Sequence, residues 1–273
     1  MNFTSRHEVR NWILMLEKMI SQGDYEGIKS REFLKPYHLI TLALLAKKHE
    51  VDTVQLSDSI RNYATRMHLW DAAGIQNFDH VQENDCSRSL IPVRAIKTVE
   101  DVDGISKAFE VIADHHYPEG QVNDFGTVIS ELLDNCYRHA EQSEGLYGLS
   151  CVQAWRQGNI GQLCIADTGV GIRSALSLNQ EYSDRLVNEN ACRMASELGV
   201  SGKLGKGHAG YGLALAKGVI DRNGGKLMIV SGNEGFESHA GEMKEFNLKF
   251  AWLGTIVTQV SGFKNSKKYS LSY

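Results

Sequence analysis

Residues 123–139 carry a pattern that leaves the chain few ways to fold. Val128, Ile129, Leu132, Leu133, Cys136 and Ala140 fall at helical spacing and form one continuous apolar face. The segment therefore predicts a helix that a second layer must cover. Thr127, Glu131, Asn135 and Arg138 lie on the other side, three or four residues apart and so neighbours in space. By default such a side is a solvated helix face. Glu131 and Asn135, however, form E-x-x-x-N, one turn apart and pointing the same way. An amide oxygen is a hard, neutral ligand for Mg²⁺, and a carboxylate beside it orients or deprotonates a nucleophile.

The flanking chain supplies the layers. Helices are expected over 6–21, 36–48 (Pro36 in its first turn), from 57 or 58 to about 70, and over 99–115, 184–198 and 210–222. Strands are expected at 51–56, 90–96, 147–155, 160–166, 226–230, 245–250 and 255–260, with a hairpin turn around Gly158 and Asn159. The polar, aperiodic stretch 76–88 reads as a domain boundary. Helices grouped ahead of an antiparallel-looking strand set indicate an α+β sandwich, not a doubly wound sheet.

Composition narrows the setting. An apolar share of 42% with 3 prolines suits a globular protein and leaves little room for disorder. The longest apolar stretch, 39–46, is too short to cross a bilayer. No charged-then-apolar leader layout opens the sequence. The cysteines Cys86, Cys136, Cys151, Cys164 and Cys192 are dispersed without C-x-x-C spacing. They read as reduced core thiols, and a cytoplasmic location is expected. A net charge of −4 gives no indication of nucleic-acid binding.

Two glycine-rich segments follow the helix. In Ile165-Ala166-Asp167-Thr168-Gly169-Val170-Gly171-Ile172 a strand ends at Asp167, and two glycines let the backbone approach a flat ligand. A buried carboxylate there can accept a hydrogen bond from an exocyclic amino group such as that of adenine. In Lys203-Leu204-Gly205-Lys206-Gly207-His208-Ala209-Gly210-Tyr211-Gly212-Leu213, glycines and two lysines open into a helix, the makings of a phosphate cradle. Alone, the first is an ordinary Asp-Gly turn and the second a flexible surface loop. The literal G-x-G-x-x-G at 205–210 lacks the preceding strand of a dinucleotide fingerprint, and G-x-x-x-x-G-K-[ST] is absent.

Taken in order, E-L-L-D-N-C-Y-R-H, D-T-G-V-G-I and G-K-G-H-A-G-Y-G-L resemble the N, G1 and G2 boxes of the GHKL superfamily. These are the Bergerat-fold ATPases that include DNA gyrase, histidine kinases, MutL and the anti-sigma-factor kinases. Trp252-Leu253-Gly254-Thr255 before an apolar strand resembles the family's G-T box, and the resemblance spans about 89–260. It implies a two-layer α/β sandwich with helices on one face of a mixed, mainly antiparallel sheet, binding ATP and Mg²⁺. Asn135 would ligate Mg²⁺, Asp167 would bind the adenine amino group with Thr255 helping through water, and Gly169 and Gly171 would border the base. Arg138, Lys203, Lys206 and the amides around Gly207, His208, Gly210 and Gly212 would hold phosphates. Ile172, Tyr211 and Leu213 join the nucleotide-contacting set. Residues 173–206 would form the lid, and Glu131 takes the place of the general base.

Residues 1–88 are expected to form a small α/β docking domain, ahead of an ATP-binding domain over 89–262 and a tail over 263–273. The stretch 33–75 loosely resembles part of a STAS domain, although Lys35-Pro36-Tyr37 stands where the phosphoacceptor would be. An unrelated helical cap is the competing reading. His7-Glu8-Val9-Arg10-Asn11 superficially resembles a histidine-kinase phosphoacceptor box but lacks the long helical hairpin such a box needs. Three functions fit the chain. One is slow ATP hydrolysis with lid closure regulating a protein partner. The second is anti-sigma-type kinase action on a STAS-like partner, and the third a non-hydrolysing nucleotide-bound scaffold. A homodimer is compatible with each.

Overall fold

The computed structural model describes residues 4–76, 87–117, 119–140, 145–155, 160–202 and 210–262. Five strands, β1 (Leu90–Ile96), β2 (Gly148–Trp155), β3 (Ile160–Ala166), β4 (Lys226–His239) and β5 (Glu242–Gly262), form one sheet in the order β1-β2-β3-β5-β4. Every pairing is antiparallel, so the sheet is not mixed. Ala240 and Gly241, both at positive φ, make the tight turn between β4 and β5.

Side chains alternate across this sheet with period two. Leu163 and Ile165 of β3 join the core beneath α6 (Val99–His116), α7 (Glu119–His139), α10 (Ala191–Ala195) and α11 (Gly212–Arg222). Cys164 and Ala166 point the other way. The stripe on α7 is buried as expected, with Val128, Ile129 and Leu133 fully covered. This is the Bergerat-type α/β sandwich.

The opposite face of the sheet is covered too. The helices α1 (Arg6–Gln22), α2 (Glu26–Lys29), α3 (Pro36–Lys48), α4 (Asp58–Arg66) and α5 (Leu69–Ala73) share a core with Leu149, Cys151, Met228, Val230, Trp252 and Ile256. In α1, Ser5 and Glu8 cap each other's backbone amides, and Gly23 at φ 66° ends the helix. α3 is buried almost all round, as the centre of a layer must be. Polar bonds tie this layer down: Tyr63 Oη donates to Gln153 Oε1 at 2.6 Å, and Gln162 Nε2 donates to Thr4 Oγ1 at 3.0 Å. Helices therefore flank the sheet on both faces, not one.

Other expectations are corrected. Residues 51–56 form no strand; Val54 and Leu56 are buried and Asp52, Thr53 and Gln55 exposed, but no neighbouring strand pairs with them. Among the described residues the amino-terminal segment holds helices and no strand, so the expected α/β character is not seen there. The helix expected from 57 or 58 to 70 breaks at His68, whose φ is 56°. The one over 184–198 is two short helices, α9 (Ser183–Asn188) and α10, with Asn190 capping the second. Strands 245–250 and 255–260 are a single strand, β5, bent by a bulge. The turn at Gly158 and Asn159, most of the boundary stretch and the tail lie outside the described residues. Among the described residues no helix is long and apolar enough to cross a membrane.

Candidate functional site

Between α7, the end of β3 and the start of α11 lies a cavity of about 400 Å³, within the usual range of roughly 300–1,000 Å³ for small-molecule sites. Glu131, Asn135 and Arg138 line it from α7, and Asp167, Gly171 and Ile172 from the end of β3. Gly210, Tyr211, Gly212 and Leu213 contribute the start of α11, and Thr255 comes from β5. The chain thus brings together residues separated by more than a hundred positions. Lys203, Lys206, Gly207 and His208 lie outside the described residues.

Asp167 is the buried acid of the site. It is 8% exposed, and its Oδ1 accepts the amides of Gly169 at 2.8 Å and Thr255 at 3.2 Å. Gly169 thus supports the carboxylate from outside the cavity lining. Burial pushes the Asp167 pKa up to about 7, against the pull of those two amides. Oδ1 is committed to the backbone, which leaves Oδ2 for a ligand. Gly254, at φ 101°, packs so closely that a Cβ there would lie 2.5 Å from Oδ1. Gly171, at φ 78°, begins α8 (Ile172–Ser177), and Ile172 N donates to Ser231 Oγ at 2.8 Å. Ser231 Oγ in turn donates to Gly254 O at 2.7 Å, joining three segments behind the Asp167 end of the cavity.

At the other end, Glu131 and Asn135 face the first residue of α11. A Cβ on Gly212 would lie 2.5 Å from Asn135 Nδ2 and 3.2 Å from Glu131 Oε2. Tyr211, the residue capping α11, offers its leading amides no side-chain bond. That leaves a helix N-terminus open toward the cavity, where anions are favoured. Arg138 is ion-paired to Asp134 one turn away, at 2.6 Å, and Asp134 also lines the cavity.

The segment expected to be the lid is partly anchored. Arg173 forks onto Glu234 of β4, with Nε donating to Oε2 at 2.9 Å, and it also donates to the carbonyls of Leu186 and Glu189. Asn190 Nδ2 donates to Gly235 O at 3.2 Å. Gly199 N donates to Gly210 O at 3.2 Å, and Tyr182 Oη lies against Gly199 O and Ser201 N. Arg173 and Asn190 are therefore tied to β4 and residues 199–201 to Gly210 and Tyr182, while 203–206 lie outside the described residues.

Sequence reasoning missed Ser231, Tyr182, Glu234 and the packing role of Gly254, all defined by contacts across the chain. His7 stands exposed on α1, beside Asn11 Nδ2 at 3.0 Å.

The residues present fit a nucleotide and its cation. Asp167 is a buried acceptor at the apolar end, Asn135 offers an amide oxygen at the other, and the bare Gly212 leaves the space beside it. A family model of histidine kinase-, DNA gyrase B- and HSP90-like ATPases matches residues 120–252. A search of curated proteins finds no match.

Proposed function

Because residues 120–252 belong to the histidine kinase-, DNA gyrase B- and HSP90-like ATPases, we propose that the protein binds Mg-ATP, hydrolyses it slowly and uses the change to regulate a protein partner. Bound Mg-ATP supplies the phosphoanhydride and the cation that offsets its charge. The Asp167 carboxylate accepts the adenine amino group, with the Thr255 and Gly171 backbones beside it. Asn135 holds the cation through its amide oxygen, and the leading amides of α11 meet the phosphates. Glu131, one turn before Asn135, orients a water and takes its proton.

The juxtaposition of Glu131 and Asn135 with Gly212 supports this reading, because it brings a carboxylate, an amide side chain and a helix N-terminus together. The partner-regulation part of this reading rests on the sequence between 199 and 212, whose glycines and lysines would answer to the γ-phosphate. A partner responds only if it binds the two states with different affinity.

Glu131 is only half-buried, so a protein hydroxyl can take the place of water. That is the kinase reading. Incubation with γ-labelled ATP, alone and with candidate partner proteins, separates the two. Released phosphate is the expected product. Label transferred to a partner establishes the kinase instead, and no turnover under either condition leaves the nucleotide as a structural ligand.

A further inference from the structure

The ladder between β3 and β5 changes hands at its last rung. Asp167 N donates to Thr255 O at 2.9 Å, and a regular antiparallel pair would return a bond from Thr255 N to Asp167 O. Here Thr255 N donates instead to the carboxylate, Asp167 Oδ1, and the Asp167 carbonyl accepts the indole Nε1 of Trp252 at 2.9 Å. The bulge makes this exchange. Pairing of β4 with β5 steps from Ser231↔Thr255 to Gly232↔Trp252, leaving Leu253 and Gly254 as extra residues. Trp252 is 3% exposed, and its ring lies in the core shared with the amino-terminal helices, on the far side of the sheet from α7.

We infer that Trp252 is a positioning residue for base recognition: its indole N–H holds the Asp167 peptide so that the Thr255 amide is left for the carboxylate. This rests on the Mg-ATP reading above. An indole nitrogen only donates, and the surrounding core fixes where it points. Without it the buried Asp167 carbonyl loses its partner, which a buried acceptor does not tolerate. The nearest replacement is the Thr255 amide, in the rung a regular ladder would make. Taking it strips Oδ1 of one of its two backbone donors and frees the carboxylate to turn. Affinity for adenine then falls more than affinity for another base on the same triphosphate.

Two measurements test this. The chain has 4 tryptophans, so W252F removes one of four indole N–H resonances and identifies it. In the wild-type protein ADP is expected to shift that resonance, and inorganic tripolyphosphate to leave it in place. In W252F, with folding checked by its melting profile, the preference for ATP over GTP is expected to drop about tenfold. A Trp252 resonance indifferent to ADP overturns the inference, and if W252F fails to fold, single replacement of the other three tryptophans identifies that resonance by elimination. So does an unchanged ATP-to-GTP ratio in folded W252F. A wild-type protein that binds neither nucleotide overturns the Mg-ATP reading itself, a result distinct from both.

Discussion

Gly212 stands directly over Asn135: a methyl group added at 212 would sit 2.5 Å from the Asn135 side-chain nitrogen. The helices α11 and α7 are thus in contact through a residue with no side chain. Gly212→Ala is expected to displace Asn135 and lower Mg-ATP affinity at least tenfold. The melting temperature should barely move, because alanine suits a helix better than glycine. Calorimetry and a thermal melt decide it, and wild-type Mg-ATP affinity in the variant counts against the placement.

Glu131 and Asn135 are expected to fail differently. Glu131→Gln should still bind Mg-ATP yet lose about 10²–10⁴ in turnover, the usual effect of removing a general base. Asn135→Ala should lose the Mg²⁺-dependent part of ATP affinity, since a metal ligand acts already in the ground state. Titrations with and without Mg²⁺, beside a phosphate-release assay, separate the two. Parental turnover by Glu131→Gln rules out this carboxylate as the base.

Asp167 gives a pH signature with a definite sign. Its pKa is raised from 3.8 to about 7 by burial, so the folded state holds a proton that the unfolded state has released. Its contribution therefore favours the fold below about pH 4 and is lost as pH rises to about 7. The unliganded wild-type protein should lose more stability between pH 5 and pH 8 than Asp167→Asn does, in paired urea melts. Binding runs the other way: an adenine amino group favours the carboxylate, so ATP affinity should rise through pH 7. In Asp167→Asn it should be flat with pH and roughly ten- to a hundredfold weaker, the loss of one charge-assisted bond. Equal pH dependence in both proteins would falsify the assignment.

The helices 172–195 depend on Arg173. The Glu234 side chain is 13% exposed, and the guanidinium satisfies it together with two carbonyls. Arg173→Ala is expected to cost about 1–3 kcal/mol, because it strands a largely buried acceptor. Arg173→Lys should recover little, since an ammonium cannot make the two-pronged contact. Urea denaturation gives both numbers, and an Arg173→Ala variant as stable as the parent shows the fork to be idle.

The Gly199 amide offers a single-residue readout of nucleotide state. Its hydrogen exchange should slow from the unliganded protein to the ADP complex, and further with a non-hydrolysable ATP analogue. Identical protection in all three states removes the proposed switch.

What could be read from the sequence follows the range of the interactions. The stripe on α7 repeats within a few residues, and so do the glycines after Asp167, so both the helix and much of the site were legible. Residues 51–56 show the limit of that logic. Their alternation is real, but a strand exists only with a neighbour to pair with, and none pairs with them among the described residues. β5 reads as two strands because Gly254 interrupts the apolar pattern, although the backbone passes through as a bulge. Ser231 carries no local signal, and Trp252 reads only as the start of the G-T box, not as a donor to Asp167. Their partners lie 59 and 85 residues away, and only the register of the sheet brings them to Ile172 and Asp167.

The bond from Gly199 to Gly210 also bears on how this protein can vary. Val200, Ser201 and Gly202, which follow Gly199 directly, line the cavity, and a Cβ at Gly202 would lie 2.1 Å from the Ala175 carbonyl oxygen. Insertions or deletions at 200–202 should therefore disturb the site itself, which makes length a constrained property of this short run.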